Sequence, residues 1–177
     1  MYLRTLEASD LNILQRWTTS TDSGIALDLF YRPAVADAAH FFLDGLRRDR
    51  HEVALGIVVQ STGSLAGFIG LHEIDQLNSH AKAGVLLPDL RPRSLEFGVS
   101  ALGLITSYVF EQMQMNRVWA EVDAGNRRLR AVYEGAGFLN EATLRQDLCV
   151  AREYRDTAVM GCVRNGPRPL AGAGAKK

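Results

Sequence analysis

Arg93-Ser94-Leu95-Glu96-Phe97-Gly98 lies between an apolar run, Ala83-Gly84-Val85-Leu86-Leu87, and a long amphipathic segment that continues past Phe110. A strand that passes through a short loop into a helix turns unpaired backbone N–H groups and the positive end of the helix dipole toward one point. Such a point holds an anion, and a phosphate is the anion expected there. The donors would be the amides of Arg93, Ser94, Leu95, Glu96, Phe97, Gly98 and Val99. Other chemistries have little footing. The sequence has no Ser/His/Asp order, zinc-ligand spacing or Walker loop, and neither Cys149 nor Cys162 has a histidine nearby in sequence. A covalent acyl-enzyme is therefore not suggested.

The elements that must position these residues can be read from periodicity. Tyr2 to Thr5 suits a short strand, and Ser9 can cap a helix carrying Leu11, Leu14 and Trp17 on one face. Glycine and proline punctuate Ser23 to Pro33, and Val35 to Arg50 returns to helical period through Ala38, Phe41, Phe42 and Leu46. Glu52 to Gln60 and Leu65 to Ile74 read as a hairpin about the turn Ser61-Thr62-Gly63-Ser64, with Ala81 to Leu87 as the adjacent strand. Gly98 to Met113 aligns Val99, Leu102, Ile105, Val109 and Met113 along one helical face. Arg117 to Val122 alternates as a strand, Asn126 to Gly135 is helical, and Thr143 to Val150 with Tyr154 to Arg164 closes the pattern as a hairpin. The pattern is α/β with a mixed sheet.

Size and charge set limits on function. The 177 residues suit one domain, able to bury roughly 70% of its unfolded surface. Twenty basic residues balance twenty acidic ones, which disfavours nucleic acid and anionic membranes as partners. The two cysteines read as small buried apolar residues in a reducing, cytoplasmic setting, and no metal set is evident. Met1 to Glu7 has no signal-peptide pattern, and no window holds the roughly 18 apolar residues of a membrane helix. Residues 1–164 are expected to form the domain, and 165–177 a disordered tail.

From Arg93 onward the sequence resembles the GCN5-related N-acetyltransferase (GNAT) superfamily, and within it the RimJ/RimL-like branch. The acyl-CoA loop of that family has the form Q/R-x-x-G-x-G/A, which Arg93 and Gly98 match at the first and last positions. The block that follows fits at family spacing: Tyr108-Val109-Phe110, Met115-Asn116-Arg117-Val118, Asn126, Tyr133-Glu134 and Gly137-Phe138. Leu144-Arg145 and Tyr154-Arg155-Asp156 are also similar, and the likeness covers most of Leu3 to Arg164. The resemblance implies a single-domain GNAT-like fold, with a mixed, mostly antiparallel central sheet and helices on both faces.

It also implies roles. Acetyl-CoA would be the co-substrate, its pyrophosphate on the loop amides and its pantetheine arm along the strand edge that includes Leu86 and Leu87. Asn126 matches the family's CoA-contacting asparagine, and Tyr133 the tyrosine that protonates the departing thiolate, although an aromatic residue before Gly137-Phe138 could simply fill the core. Glu96 stands where the family has glycine. A carboxylate about 4 Å from a phosphate would cost about 4 kcal/mol at an effective dielectric near 20, and about 1 kcal/mol in open water. Glu96 is therefore expected to point into solvent or to pair with Arg91 or Arg93; otherwise it would cap the helix itself and displace the phosphate.

Transfer to an amine needs a base as well as an acid. The candidates are His72 and Glu73, which in a regular strand would face opposite ways. The expected function is acetyl transfer to a primary amine, on a small molecule or a protein N-terminus, by direct attack in a ternary complex. A catalytically silent acyl-CoA-binding module is the alternative. The loop Gly24 to Pro33 carries only Asp28 with Arg32 beside it, which favours a weakly charged amine over a polyamine. Phe30 and Tyr31 suit either a homodimer contact or a substrate lid.

Overall fold

The protein is described from a computed structural model, which describes residues 1–10, 12–13, 16–17, 53–88, 91–150 and 152–166. The expected helix of Val35 to Arg50, the loop before it with Asp28, Phe30, Tyr31 and Arg32, and the tail beyond Gly166 lie outside those residues. So do Leu11 and Leu14 of the first expected helix, of which Asn12, Ile13, Arg16 and Trp17 are helical. Ser9 lies within a short 3-10 turn, Ala8–Asp10, that precedes them. There the Asp10 carboxylate, rather than Ser9, accepts from the chain: it receives the Glu7 N–H at 2.9 Å and the Arg4 guanidinium at 2.7 and 2.8 Å.

Among the described residues seven strands form one sheet in the order β1-β2-β3-β4-β5-β7-β6. They are β1 (Tyr2–Thr5), β2 (Val53–Val58), β3 (Leu65–Asp75), β4 (His80–Leu86), β5 (Arg117–Asp123), β6 (Leu139–Val150) and β7 (Glu153–Val163). Helix α1 (Pro92–Glu111) joins β4 to β5, and α2 (Arg127–Gly135) follows β5. The hairpin β2–β3 forms about the expected turn, where Gly63 takes φ +67, a conformation that side chains with a Cβ resist. Neighbours are antiparallel except β4 and β5.

That exception shapes the molecule. The parallel ladder holds only for His80↔Arg117, Ala81↔Val118 and Lys82↔Trp119. Each strand keeps its outer partner further along, β4 with β3 to Leu86 and β5 with β7 to Asp123. The sheet therefore opens between Ala83–Leu86 and Ala120–Asp123, leaving strand-edge backbone groups on both sides of the opening.

Strand residues of one parity, Ile69, Leu71, Ala81, Ala83, Val85, Val118, Ala120 and Val122, share a single apolar cluster with Leu102, Ile105 and Val109 of α1 and Leu129 and Val132 of α2. Both described helices thus cover the same face. The other face carries Phe68, His72, Lys82, Trp119 and Glu121.

The structure moves two expected boundaries. Helix α1 starts at Pro92, not Gly98, so Arg93 to Phe97 form its first turns rather than a loop. Proline suits that first position because its fixed φ is helical and the N–H it lacks would have no partner within the helix. Strand β6 starts at Leu139, four residues ahead of the expected Thr143.

Candidate active site

The start of α1 satisfies two of its own donors and leaves the mouth of the helix to the Arg93 amide. Its N-cap, Arg91, makes no side-chain hydrogen bond to the helix; the N–H groups of Ser94 and Leu95 both turn to Arg91 O, at 3.0 and 3.1 Å. The amide of Arg93 follows Pro92 at the helix mouth, with the positive end of the dipole behind it. Glu96 is exposed, in line with the expectation that it points into solvent, and the Arg93 guanidinium lies over the Phe97 ring, 5.7 Å from its centroid. Leu86 and Leu87 are fully buried, while Leu95, Phe97 and Val99 are partly so. Gly98 is buried in the second turn. A Cβ there would stand 2.8 Å from Leu87 Cδ1 and 2.9 Å from Val132 Cγ1, so its missing side chain lets α1 approach β4 and α2.

Helix α2 sets Tyr133. Asn126 is its N-cap, accepting the Leu129 N–H on Oδ1 at 3.1 Å. At the other end Gly137, with φ +97, gives its N–H to Glu134 O, and Phe138 gives its own to Tyr133 O, both at 3.0 Å. This six-to-one closure of a helix brings the residue after the glycine back onto the last turn. Accordingly the Phe138 ring meets the Tyr133 ring edge to face, with centroids 5.2 Å apart. The buried Tyr133 phenol, so braced, donates to Ala83 O at 3.2 Å. Ala83 is the first residue of β4 beyond its pairing with β5.

On the opposite face the sheet irregularity at β3 matters. His72 pairs across the ladder with Lys82, but the register shifts before Asp75, and Glu73 takes φ +49. Strand alternation breaks there. Instead of pointing away from His72, the Glu73 side chain reaches round to Lys82, with Nζ to Oε1 3.4 Å. Lys82 Nζ also lies 2.7 Å from Glu121 Oε2 and 4.7 Å from the Trp119 ring centroid. His72 is buried, and desolvation together with the charge of Lys82 lowers its imidazole pKa to about 3. It is therefore neutral at pH 7 and a weak base.

Likeness to known proteins bears on this arrangement. Residues 1–139 match the model of the acetyltransferase (GNAT) domain family. A Bacillus subtilis protein named "Putative ribosomal N-acetyltransferase YdaF" is 31% identical over 160 residues, covering 87% of this chain and 86% of its own. The chain belongs to the GNAT acetyltransferase family. Within it the likeness is to the RimJ/RimL-like branch, and the activity is acetyl transfer. The crystal structure of a "Probable acetyltransferase" superposes with a TM-score of 0.78 at 27% identity, covering 92% of each chain. Spermidine N-acetyltransferase from Vibrio cholerae, in complex with CoA and spermine, superposes with a TM-score of 0.77 at 19% identity, covering 92% of this chain and 94% of that one, and shares the fold.

For a GNAT acetyltransferase, then, the sequence reading placed Asn126 at the start of α2 and Tyr133 within it, but set the start of α1 six residues late. It missed Lys82, Trp119 and Glu121. Two signals were present: Lys82 is the one charge in the run Ala81 to Leu87, and Trp119 and Glu121 alternate with Val118, Ala120 and Val122. Their meeting depends on the register between β4 and β5, which local sequence does not carry.

Proposed function

We propose that this chain transfers the acetyl group of acetyl-CoA to a primary amine, on a small molecule or a protein N-terminus, by direct attack in a ternary complex. The observation that carries the reading is the Tyr133 phenol held at the Ala83 carbonyl, where β4 and β5 part. Acetyl-CoA supplies an activated thioester carbonyl. The residues present fit it: the Arg93 amide and the positive end of the α1 dipole would hold the pyrophosphate, the edge Ala83–Leu86 would pair with the pantetheine amides, and Asn126 would stand beside the arm. Leu87, Phe97, Gly98 and Val99 serve by packing α1 against β4 and α2.

The proton accounting assigns two groups. As the amine nitrogen bonds to the carbonyl carbon and the C–S bond breaks, the Tyr133 O–H, which donates to Ala83 O, would protonate the leaving sulfur. Glu73, half exposed on the other face, takes the proton of the incoming ammonium directly or through water. His72, its pKa lowered to about 3, is a poor candidate for that step. The name of the Bacillus subtilis relative refers to the ribosome, which supports a protein amine as the acceptor. We assign the domain to residues 1–164 and the enzyme to the cytoplasm, where acetyl-CoA occurs and an exposed thiol such as Cys149 stays reduced.

Tyr133→Phe tests this. In a thiol-release assay turnover should fall about 100- to 10,000-fold, the range for loss of a general acid. Titration calorimetry should find acetyl-CoA affinity little changed. Turnover that survives the substitution refutes the role of Tyr133. Wild-type protein that binds acetyl-CoA but acetylates no amine in a broad panel would instead be a binding module.

A further inference from the structure

Helix α2 opens with Arg127-Arg128-Leu129-Arg130, three cations and no acidic residue in its first turn. That is the unfavourable end of a helix for positive charge, so the stability of α2 does not explain them. Arg130 is engaged: its Nη1 donates to Ala124 O at 3.3 Å, and its Nη2 lies 3.9 Å from Glu134 Oε1. Arg127 and Arg128 are exposed, and among the described residues neither makes a side-chain hydrogen bond or an ion pair.

Helix phase separates these two. Strands β4 and β5 run parallel and each passes into its own helix, so α1 and α2 start at the same end of the sheet. The helices meet through glycines: a Cβ on Gly98 would stand 2.9 Å from Val132 Cγ1, and one on Gly135 would stand 3.0 Å from Val99 Cγ2. Arg128, Val132 and Gly135 lie at i, i+4 and i+7 on one stripe of α2, which puts Arg128 on the flank that faces α1. It precedes Val132 by one turn, as Ser94 precedes Gly98 on α1. A helical side chain leans toward the N-terminus, which directs the Arg128 guanidinium toward the mouth of α1. Arg127, about 100° round the helix from it, lies off that flank.

We propose that Arg128 binds the 3′-phosphate of the coenzyme, as a second anion subsite one helix away from the first. The proposal rests on the coenzyme lying as in the proposed function, with its pyrophosphate at the Arg93 amide. Packed helices stand about 8–10 Å apart. The two phosphates of the pyrophosphate share a bridging oxygen and cannot span such a gap. The 3′-phosphate, carried on the ribose beyond them, is the anion of the coenzyme that can. A guanidinium suits it, because its planar fork gives two parallel N–H groups to phosphate oxygens.

Titration calorimetry with CoA and with dephospho-CoA, which lacks only that phosphate, tests the assignment. Wild type should bind CoA about 10- to 100-fold more tightly, the range for hydrogen bonds to a charged group. Arg128→Gln should lose the preference by weakening CoA alone, and Arg128→Lys, with the charge but not the fork, should keep part of it. Arg127→Gln makes the same charge change off the α1 flank and should keep the preference. The melting temperature of Arg128→Gln should equal or exceed that of wild type, since a cation leaves the helix N-terminus, so weaker binding would not reflect a weaker fold. Equal wild-type affinities for the two ligands overturn the proposal. So does an Arg128→Gln variant that weakens both alike, which would put the guanidinium at the pyrophosphate, or an equal effect of Arg127→Gln, which would leave only a diffuse field. Wild type that binds neither ligand refutes the coenzyme reading and this proposal with it; binding without discrimination refutes this proposal alone.

Discussion

At the scale of a residue, His72 separates burial from catalysis. An imidazole held at a pKa of about 3 in the folded chain, against 6.5 when unfolded, binds its proton more weakly in the native state. Between those values the unfolded chain carries more protons, so stability is fully present above pH 6.5 and drains away as pH falls toward 3. The slope is about 1.4 kcal/mol per pH unit, or roughly 2 kcal/mol between pH 6.5 and 5. Asp10, Asp75 and Glu141, whose carboxyls are held low by Arg4, Asn78 and Arg117, lose their contributions at more acid pH, so among the described residues with a shifted pKa only His72 acts in this window. Urea unfolding at pH 7, 6 and 5 should show the loss in wild type and not in His72→Gln. Equal slopes in the two proteins would place the pH sensitivity elsewhere. The same residue shows a limit of sequence reading: adjacent titratable residues on a strand promise opposite faces, and only the positive φ of Glu73 brings both toward Lys82.

At the scale of an element, α1 carries two glycines with opposite demands. A Cβ on Gly103 would meet nothing within 4 Å, and one on Gly98 would meet Leu87 and Val132 inside 3 Å. Alanine at position 103 should therefore stabilise by about 0.5–1 kcal/mol through helix propensity. At position 98 the same gain is outweighed by overpacking of about 1–3 kcal/mol, leaving a net loss near 1 kcal/mol. Denaturant midpoints of Gly98→Ala and Gly103→Ala should shift in opposite directions, and a common shift would mean that α1 does not lean on α2 through Gly98. Periodicity sufficed for the body of α1, for α2 with its Asn126 cap and Gly137 stop, and for the β2–β3 hairpin, because each is decided by residues a few positions apart. Where α1 begins was not legible in the same way. Gly98 looks like a loop glycine in sequence, and only its fit against Leu87 and Val132 reveals it as a packing position six residues inside the helix.

At the scale of the molecule, the parting of β4 from β5 divides the sheet into two halves. One is β1 to β4, the other β5 to β7, joined by three ladder positions and by the helices packed on one face. A ligand seated in the opening with its phosphates at the start of α1 would tie the halves together, and its effect should be both global and local. Globally, acetyl-CoA at about 100 times its Kd should stabilise the fold by about 2.7 kcal/mol, raising Tm by roughly 5–10 °C for a chain of this size. Locally, amide hydrogen exchange should slow in Ala83–Leu86 along the opening and in Arg93 at the start of α1, and stay unchanged in β1 and β2 at the far edge. The pairing separates specific from diffuse binding. A Tm rise with protection spread evenly over the sheet, or confined to β6 and β7, would mean that the coenzyme sits elsewhere and that the opening beside Tyr133 is not its groove.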